Sequence, residues 1–380
     1  MTRCWLSETH LAINPQGLVG PCCRNSGKET QLSLENKTID QVFEDEKLVD
    51  IRNRLRNNER VAECRKCWIQ EDAGILSMRQ QFNTQADWDK LDSLDTFERI
   101  HSLEIAFSNH CNYRCRMCNT FFSSKWLKDD ELLGNPVPDK LLLEPDLDFY
   151  QIDQLVNLHH IKMLGGEPFL SKQHKRLLQR IPLAQMYLEY VTNGSIWPDD
   201  EVVEMWKQVR RLRFIVSLDD IYEPFEYFRT DGDFATVERT FAHINELQKH
   251  RSVEPNIHCV INVLNMYRLD QIVEYLLTNL PNWNFTFDTL VHPEFLRVSQ
   301  WSKHEGDTQI QKLQALSNSI TGNSDLDNHK RRNIGKAIKI IQTNCVNETS
   351  NFDKLIETNS ILDSSRNTKL ETVHPRLLEV

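Results

Sequence analysis

Three cysteines within eight residues, Cys111-Asn-Tyr-Arg-Cys115-Arg-Met-Cys118, constrain this chain more than any other feature. Eight of the ten cysteines cluster: these three, and Cys4, Cys22, Cys23, Cys64 and Cys67 near the N-terminus, while Cys259 and Cys345 stand alone. The N-terminal segment lacks the apolar core of a signal peptide, so the expected setting is reducing and clustered thiols read first as metal ligands. A [4Fe-4S] cluster has four irons and normally takes four thiolates. With only three close at hand, one iron would be open to substrate or cofactor. The alternative is a zinc site completed by a distant Cys or by His110, although zinc sites usually bring cysteines in C-x2-C pairs.

The 380 residues suffice for a large barrel-type domain with accessory segments, and 39% hydrophobic content allows a sizeable core. A net charge of −10 argues against a broad nucleic-acid or anionic-membrane surface. No apolar run reaches the roughly 18 residues of a membrane span, so a cytoplasmic location is expected.

From residue 101 onward, short β-branched runs alternate with helical periodicity. Strands are expected at 101–108, 161–165, 188–192, 212–218, 257–263 and 284–290. Between them, Phe234, Val237, Phe241, Ile244 and Leu247 form one helical stripe, and 269–280 repeats the pattern more briefly. Six strand–helix alternations predict a parallel sheet with right-handed crossovers. Six units are too few for a closed eightfold barrel, so the expected fold class is α/β, a partial (β/α)6 TIM-like barrel. A small Cys-rich domain (1–95), with a charged helical stretch over 38–58, precedes the barrel domain (96–295). A polar helical extension (296–380) follows, with one helix expected at 332–343.

Chemistry-bearing residues fall at successive strand ends, the rim where barrel-like α/β enzymes place their sites. They are Cys111–Cys118 after the first strand, Gly165-Gly166-Glu167-Pro168 after the second, Thr192-Asn193-Gly194 after the third, and Ser217-Leu-Asp219 with Arg229 after the fourth. Asn262 or Asn265 closes the fifth. Each has an ordinary reading: a glycine turn, a common Asn-Gly turn, aspartates 219 and 220 as helix N-caps, a solvated arginine. The pattern C-x3-C-x-φ-C, with Met117 as φ, together with the other motifs in order over about 101–292, resembles the radical S-adenosylmethionine (SAM) superfamily. The resemblance implies that Cys111, Cys115 and Cys118 hold an open [4Fe-4S] cluster. It implies that Gly165, Gly166 and Glu167 meet the methionyl ammonium, that Asn193 shapes the pocket, and that Ser217 and Arg229 contact the ribose and carboxylate of SAM.

At the N-terminus, Cys4-x12-Gly17-x4-Cys22 with Cys64-x2-Cys67 resembles a twitch or partial SPASM domain holding a second, auxiliary [4Fe-4S] cluster. Such domains normally follow the barrel; here the cysteines precede it. Cys22 is preferred over Cys23 on the glycine spacing, Cys259 reads as a buried core thiol, and a four-cysteine zinc ribbon is the alternative for the set. The implied activity is reductive cleavage of SAM to a 5′-deoxyadenosyl radical, which abstracts hydrogen from a substrate. That is an oxidoreductase or modifying enzyme acting on a peptide, protein or small molecule. A low-potential donor such as flavodoxin or ferredoxin is expected, and no membrane or nucleic-acid partner. The competing class is a non-catalytic zinc- or cluster-binding interaction protein.

Overall fold

A computed structural model describes residues 2–25, 30–34, 37–72, 74, 76–84, 86–137, 152–250 and 252–378. Eleven strands lie among them: β1 His10–Ile13, β2 Leu18–Gly20, β3 Leu32–Ser33, β4 Ser102–Ala106, β5 Arg114–Cys115, β6 His160–Leu164, β7 Tyr187–Thr192, β8 Arg211–Ser217, β9 Arg229–Thr230, β10 Val253–Ile261 and β11 Asn284–Thr289. All six expected strands are present, as β4, β6, β7, β8, β10 and β11. The chain divides into two compact units. One comprises Met1–His110, Lys140–Val191 and Pro198–Leu212; the other comprises Cys111–Asp139, Thr192–Trp197 and Arg213–Val380.

In the first unit the strands run in the order β7-β6-β4-β1-β2-β3. The pairs β1–β4, β4–β6 and β6–β7 are parallel. Period-two alternation sets the two faces apart. Leu11, Ile13, Leu103, Ile105, Ile161, Met163 and Leu188 are buried on one face. On the other, His10, Ser102, His160 and Tyr187 stand in register, then Glu104, Lys162 and Glu189, with Lys162 Nζ 2.9 Å from Glu104. The Cys-rich segment thus contributes strands to this sheet. At Asn14-Pro15-Gln16-Gly17 the chain turns back, the Asn14 side chain accepting from the backbone N–H of Gln16 (2.8 Å) and Leu18 (3.0 Å). That turn makes the β1–β2 hairpin, which is antiparallel. The charged stretch 38–58 forms two helices, Ile39–Phe43 and Glu46–Arg56, because Asp45 accepts from Lys47 N–H and starts a new helix.

In the second unit β8, β10 and β11 are successive neighbours, with β10 and β11 parallel. The helix Phe234–Gln248 buries every residue of its expected stripe. At about 1.5–3 kcal/mol for each large apolar side chain, packing rather than helix propensity holds it in place. Leu269–Asn279 follows suit. The C-terminal extension is helical as expected, with Lys303–Ser319, Asp325–Asn344, Asp353–Arg366 and Leu370–Val373. The expected helix 332–343 begins earlier because Ser324 and Asp327 form a capping box. This succession of strands and helices is the expected α/β class with a largely parallel sheet, the strand–helix order of a partial barrel. Among the described residues, no helix is long and apolar enough to cross a membrane.

Candidate metal centre

The three-cysteine loop belongs to the second unit. Cys111 is buried, Cys115 and Cys118 are half-buried, and the backbone doubles back so that Cys118 N–H donates to the Cys115 carbonyl at 2.9 Å. Strand β5 holds the middle of the loop against β9, pairing Cys115 with Arg229 and Arg114 with Thr230. This ladder aims the Arg229 guanidinium at the thiol: Nη1 lies 3.8 Å from Cys115 Sγ. Burial pushes the Cys115 thiol up to about 12, and Arg229 works against that by favouring the thiolate. Burial likewise raises Cys118. Asn193, just beyond β7, points its amide at the same loop, 3.8 Å from Cys111 Sγ and donating at 2.9 Å to Asn112. Asn112 donates in turn to Ser195 Oγ at 2.8 Å.

Asp219 is not the helix N-cap that its position after β8 suggested; the cap of Tyr222–Phe228 is Ile221, with no side-chain bond. Asp219 instead accepts from Arg229 Nη2 at 2.5 Å and from Val260 N–H at 2.8 Å. Burial alone would push the Arg229 pKa down, but Asp219 and Cys115 together hold it above its ordinary value. The chain Asp219–Arg229–Cys115 is therefore a charged lever on one ligand; the motif singled out Asp219, but not its bond to Arg229. Asn262 and Asn265 are spent on backbone: Asn265 donates to the carbonyls of Asp219 (2.7 Å) and Val260 (2.9 Å), and Asn262 to that of Val260. Ser217 ends β8 half-buried, and Met117 is half-buried within the loop. Cys259 is fully buried, as expected of a core thiol.

Gly165, Gly166 and Glu167 lie in the first unit, as do the N-terminal cysteines. Gly166 N–H donates to the Ser108 carbonyl (2.9 Å) and Glu167 N–H to that of His110 (2.8 Å), so this segment packs directly on the loop leading into Cys111. Glu167 is buried, its carboxylate accepting from Phe169 N–H at 3.3 Å.

Cys4, Cys22, Cys64 and Cys67 are linked electrostatically, through the thiolates of Cys4 and Cys67. Cys67 acts on Cys4, Cys4 on Cys22, and both Cys4 and Cys67 on Cys64. Burial, the larger cause, pushes Cys4 up to about 11 and Cys64 to about 12. The Cys23 thiol faces Met78 Sδ at 3.9 Å and the charges of Glu104 and Lys162, and its thiolate also opposes the ionisation of Cys22. Beside Cys22, the side chain of fully buried Asn25 has no hydrogen-bond partner at either polar atom. A buried amide left so is costly unless a further group meets it, which fits a cluster at these cysteines. Near Cys115, Arg229 Nε is orphaned in the same way. Among the described residues, no three Cys, His, Asp or Glu side chains are grouped to hold a single metal ion.

Residues 105–276 match the model of the radical SAM superfamily, and residues 4–68 match that of SPASM, an iron–sulfur cluster-binding domain. Curated relatives include an S-adenosylmethionine-dependent nucleotide dehydratase of Fibrobacter sp. (strain UWH6), 28% identical over 172 residues, which are 43% of this chain and 47% of that one. A GTP 3′,8-cyclase of Xanthomonas campestris pv. campestris (strain 8004) is 25% identical over 172 residues, 43% of this chain and 46% of its own. The chain spans about half the length of the curated relatives it matches. Among solved structures, anSMEcpe with bound AdoMet aligns over 58% of this chain and 60% of its own, with a TM-score of 0.42 and 18% identity.

Proposed function

The chain belongs to the radical SAM superfamily and carries an N-terminal SPASM-type segment, and on that premise we propose that it cleaves SAM at a cluster held by Cys111, Cys115 and Cys118. We assign a second, closed cluster to Cys4, Cys22, Cys64 and Cys67. The observation that carries the reading is the convergence of Arg229 and Asn193, from two separate strand ends, on thiols of one short loop. Bound there, the cluster and SAM supply one-electron cleavage of the C5′–S bond, yielding methionine and a 5′-deoxyadenosyl radical that takes a hydrogen atom from the substrate.

The protein's own residues bind, orient and exclude water. Three thiolates leave one iron without a protein ligand, for the amino and carboxylate groups of SAM. We assign the carboxylate of Glu167 and the backbone of Gly165 and Gly166 to the methionyl ammonium, and Ser217 to the ribose. Arg229 has its terminal nitrogens engaged by Asp219 and Cys115. The buried, unpartnered Nε and the second hydrogens of the terminal nitrogens remain for the SAM carboxylate, while the guanidinium also holds positive charge against the Cys115 ligand.

The substrate we propose is a peptide or a small molecule. The relatives named for GTP and for nucleotides support including nucleotides in the second class. The electron donor is a low-potential carrier such as flavodoxin or ferredoxin, and the setting is the cytoplasm. Anaerobically reconstituted protein should hold about eight irons with matching acid-labile sulfide. The electron paramagnetic resonance signal of the dithionite-reduced protein should change on adding SAM. One or two zincs without sulfide would instead support the non-catalytic interaction protein.

A further inference from the structure

We infer that the C-terminal helix Asp353–Arg366 is part of the cluster site: Arg366 and the loop's own Arg116 form a reciprocal clamp that fixes the cysteine loop and sets a positive charge beside it. The inference rests on the proposed cluster at Cys111, Cys115 and Cys118 and adds positioning residues to it.

Arg116 lies between two of the three cysteines, and its side chain is fully buried. It reaches away from the thiols into the C-terminal helix. Nε donates to the Tyr227 carbonyl at 3.0 Å, Nη1 to Asn359 Oδ1 at 2.5 Å, and Nη2 to Asp363 Oδ1 at 2.5 Å and Thr368 Oγ1 at 2.8 Å. The guanidinium stacks on the Tyr227 ring at 3.6 Å. Arg366 makes the return contact. Its Nη1 donates at 2.8 Å to the carbonyl of Arg114, the residue before Cys115, and at 3.1 Å to Thr230 Oγ1 on the paired strand β9. Nη2 donates to Asp129 Oδ2 at 2.9 Å, and the guanidinium sits 4.8 Å from the Trp126 ring. Trp126 Nε1 in turn donates to the Cys115 carbonyl at 2.8 Å.

Both arginines are wholly buried, and burying a charge costs several kcal/mol unless it is paired and fully hydrogen-bonded. Each has one carboxylate and several oxygen acceptors, but Arg366 Nε is buried without a partner, which suits a device that specifies position more than one that adds stability. An apolar pair would have anchored the helix without a hydrogen bond to the loop backbone, which Arg366 makes at the carbonyl of Arg114. Charge points the same way: the buried Arg366 guanidinium is hydrogen-bonded to the peptide carbonyl that immediately precedes Cys115, which sets a cation one residue from that ligand. A cluster gains negative charge on reduction, so a buried cation nearby favours the reduced form.

The first arm of the test uses metal-free protein and follows amide hydrogen exchange. In Arg366→Gln, residues 114–118 should exchange at least about tenfold faster than in wild type. Asn359→Ala, which removes one hydrogen bond and no charge, should loosen the same amides and covers the case in which Arg366→Gln does not fold. The second arm measures the midpoint potential of the reconstituted cluster. Arg366→Gln should lower it, Arg366→Lys should restore it, and Asn359→Ala should leave it near the wild-type value. Folded variants with unchanged protection at 114–118 and an unchanged potential overturn the clamp. The exchange arm needs no cluster, so a wild type that never cleaves SAM sinks the proposed function while this arm still decides the clamp.

Discussion

Gly166 has no room for a β-carbon. One built there would stand 2.2 Å from the carbonyl oxygen of His110 and 2.7 Å from the carbonyl carbon of Asn109, both unyielding backbone. Gly166→Ala must therefore displace the loop that leads into Cys111, and overpacking of this kind typically costs about 1–3 kcal/mol. We predict a lowered thermal midpoint and at least about tenfold weaker SAM binding, by calorimetry on the reconstituted protein; wild-type affinity would show the close approach to be incidental. Gly194 is constrained both by its backbone, at φ +75, and by space, since a β-carbon would stand 2.9 Å from a Val216 side-chain methyl. These glycines were legible in the sequence because each follows a strand, where only a turn fits. The bond made by Asp219 was not: an acid ahead of a helix reads as a cap, and only the fold brings it onto Arg229. Asp219→Asn keeps the shape and removes the charge that holds Arg229. It is expected to shift the cluster's spectrum and potential more than its stability, measured on anaerobically reconstituted variant and wild type.

At the level of elements, the cysteine sets are organised by short segments. Strand β2 leads into Cys22, whose thiol is coupled to Cys4, while Cys23 next to it turns towards Lys162 and Glu104. Cys22→Ala should therefore lose about four of about eight irons and Cys23→Ala almost none; equal losses would contradict the assignment. The contribution of β1 to the same sheet as β4 was not readable, because four residues show too little periodicity to announce a strand. The C-terminal extension was expected to be helical, but its polar composition located only one of its helices. The helix Asp353–Arg366 buries Leu355, Thr358, Asn359, Leu362 and Arg366, a face half polar, so hydrophobic patterning gives little sign of it. By contrast, the wholly apolar stripe of Phe234–Gln248 stood out from the sequence.

At the scale of the whole molecule, buried histidines tie stability to pH. His10, His174 and His374 are each pushed down to about 3 by burial. Unfolded histidine titrates near 6.5. Between those values the unfolded chain binds protons that the folded chain does not, so stability falls as pH drops from 6.5 towards 3. Going from about pH 7.5 to about pH 5.5 should cost about 1.4 kcal/mol for each such histidine, read as a lower urea midpoint of the metal-free protein. His374→Asn should show a smaller fall over the same range. Identical falls in the two proteins would mean that His374 is not held neutral. The strand-and-helix alternation, and the motifs after its strands, were visible across the barrel region because each unit repeats one pattern. The division into two compact units was not, since it cuts through the barrel sequence rather than following composition.

SAM cleavage is the central claim. Reconstituted protein incubated anaerobically with dithionite and SAM should form 5′-deoxyadenosine, and Cys115→Ala should reduce the yield to background while leaving the N-terminal cluster's iron in place. No 5′-deoxyadenosine from the wild type, or equal amounts from wild type and Cys115→Ala, would contradict the account.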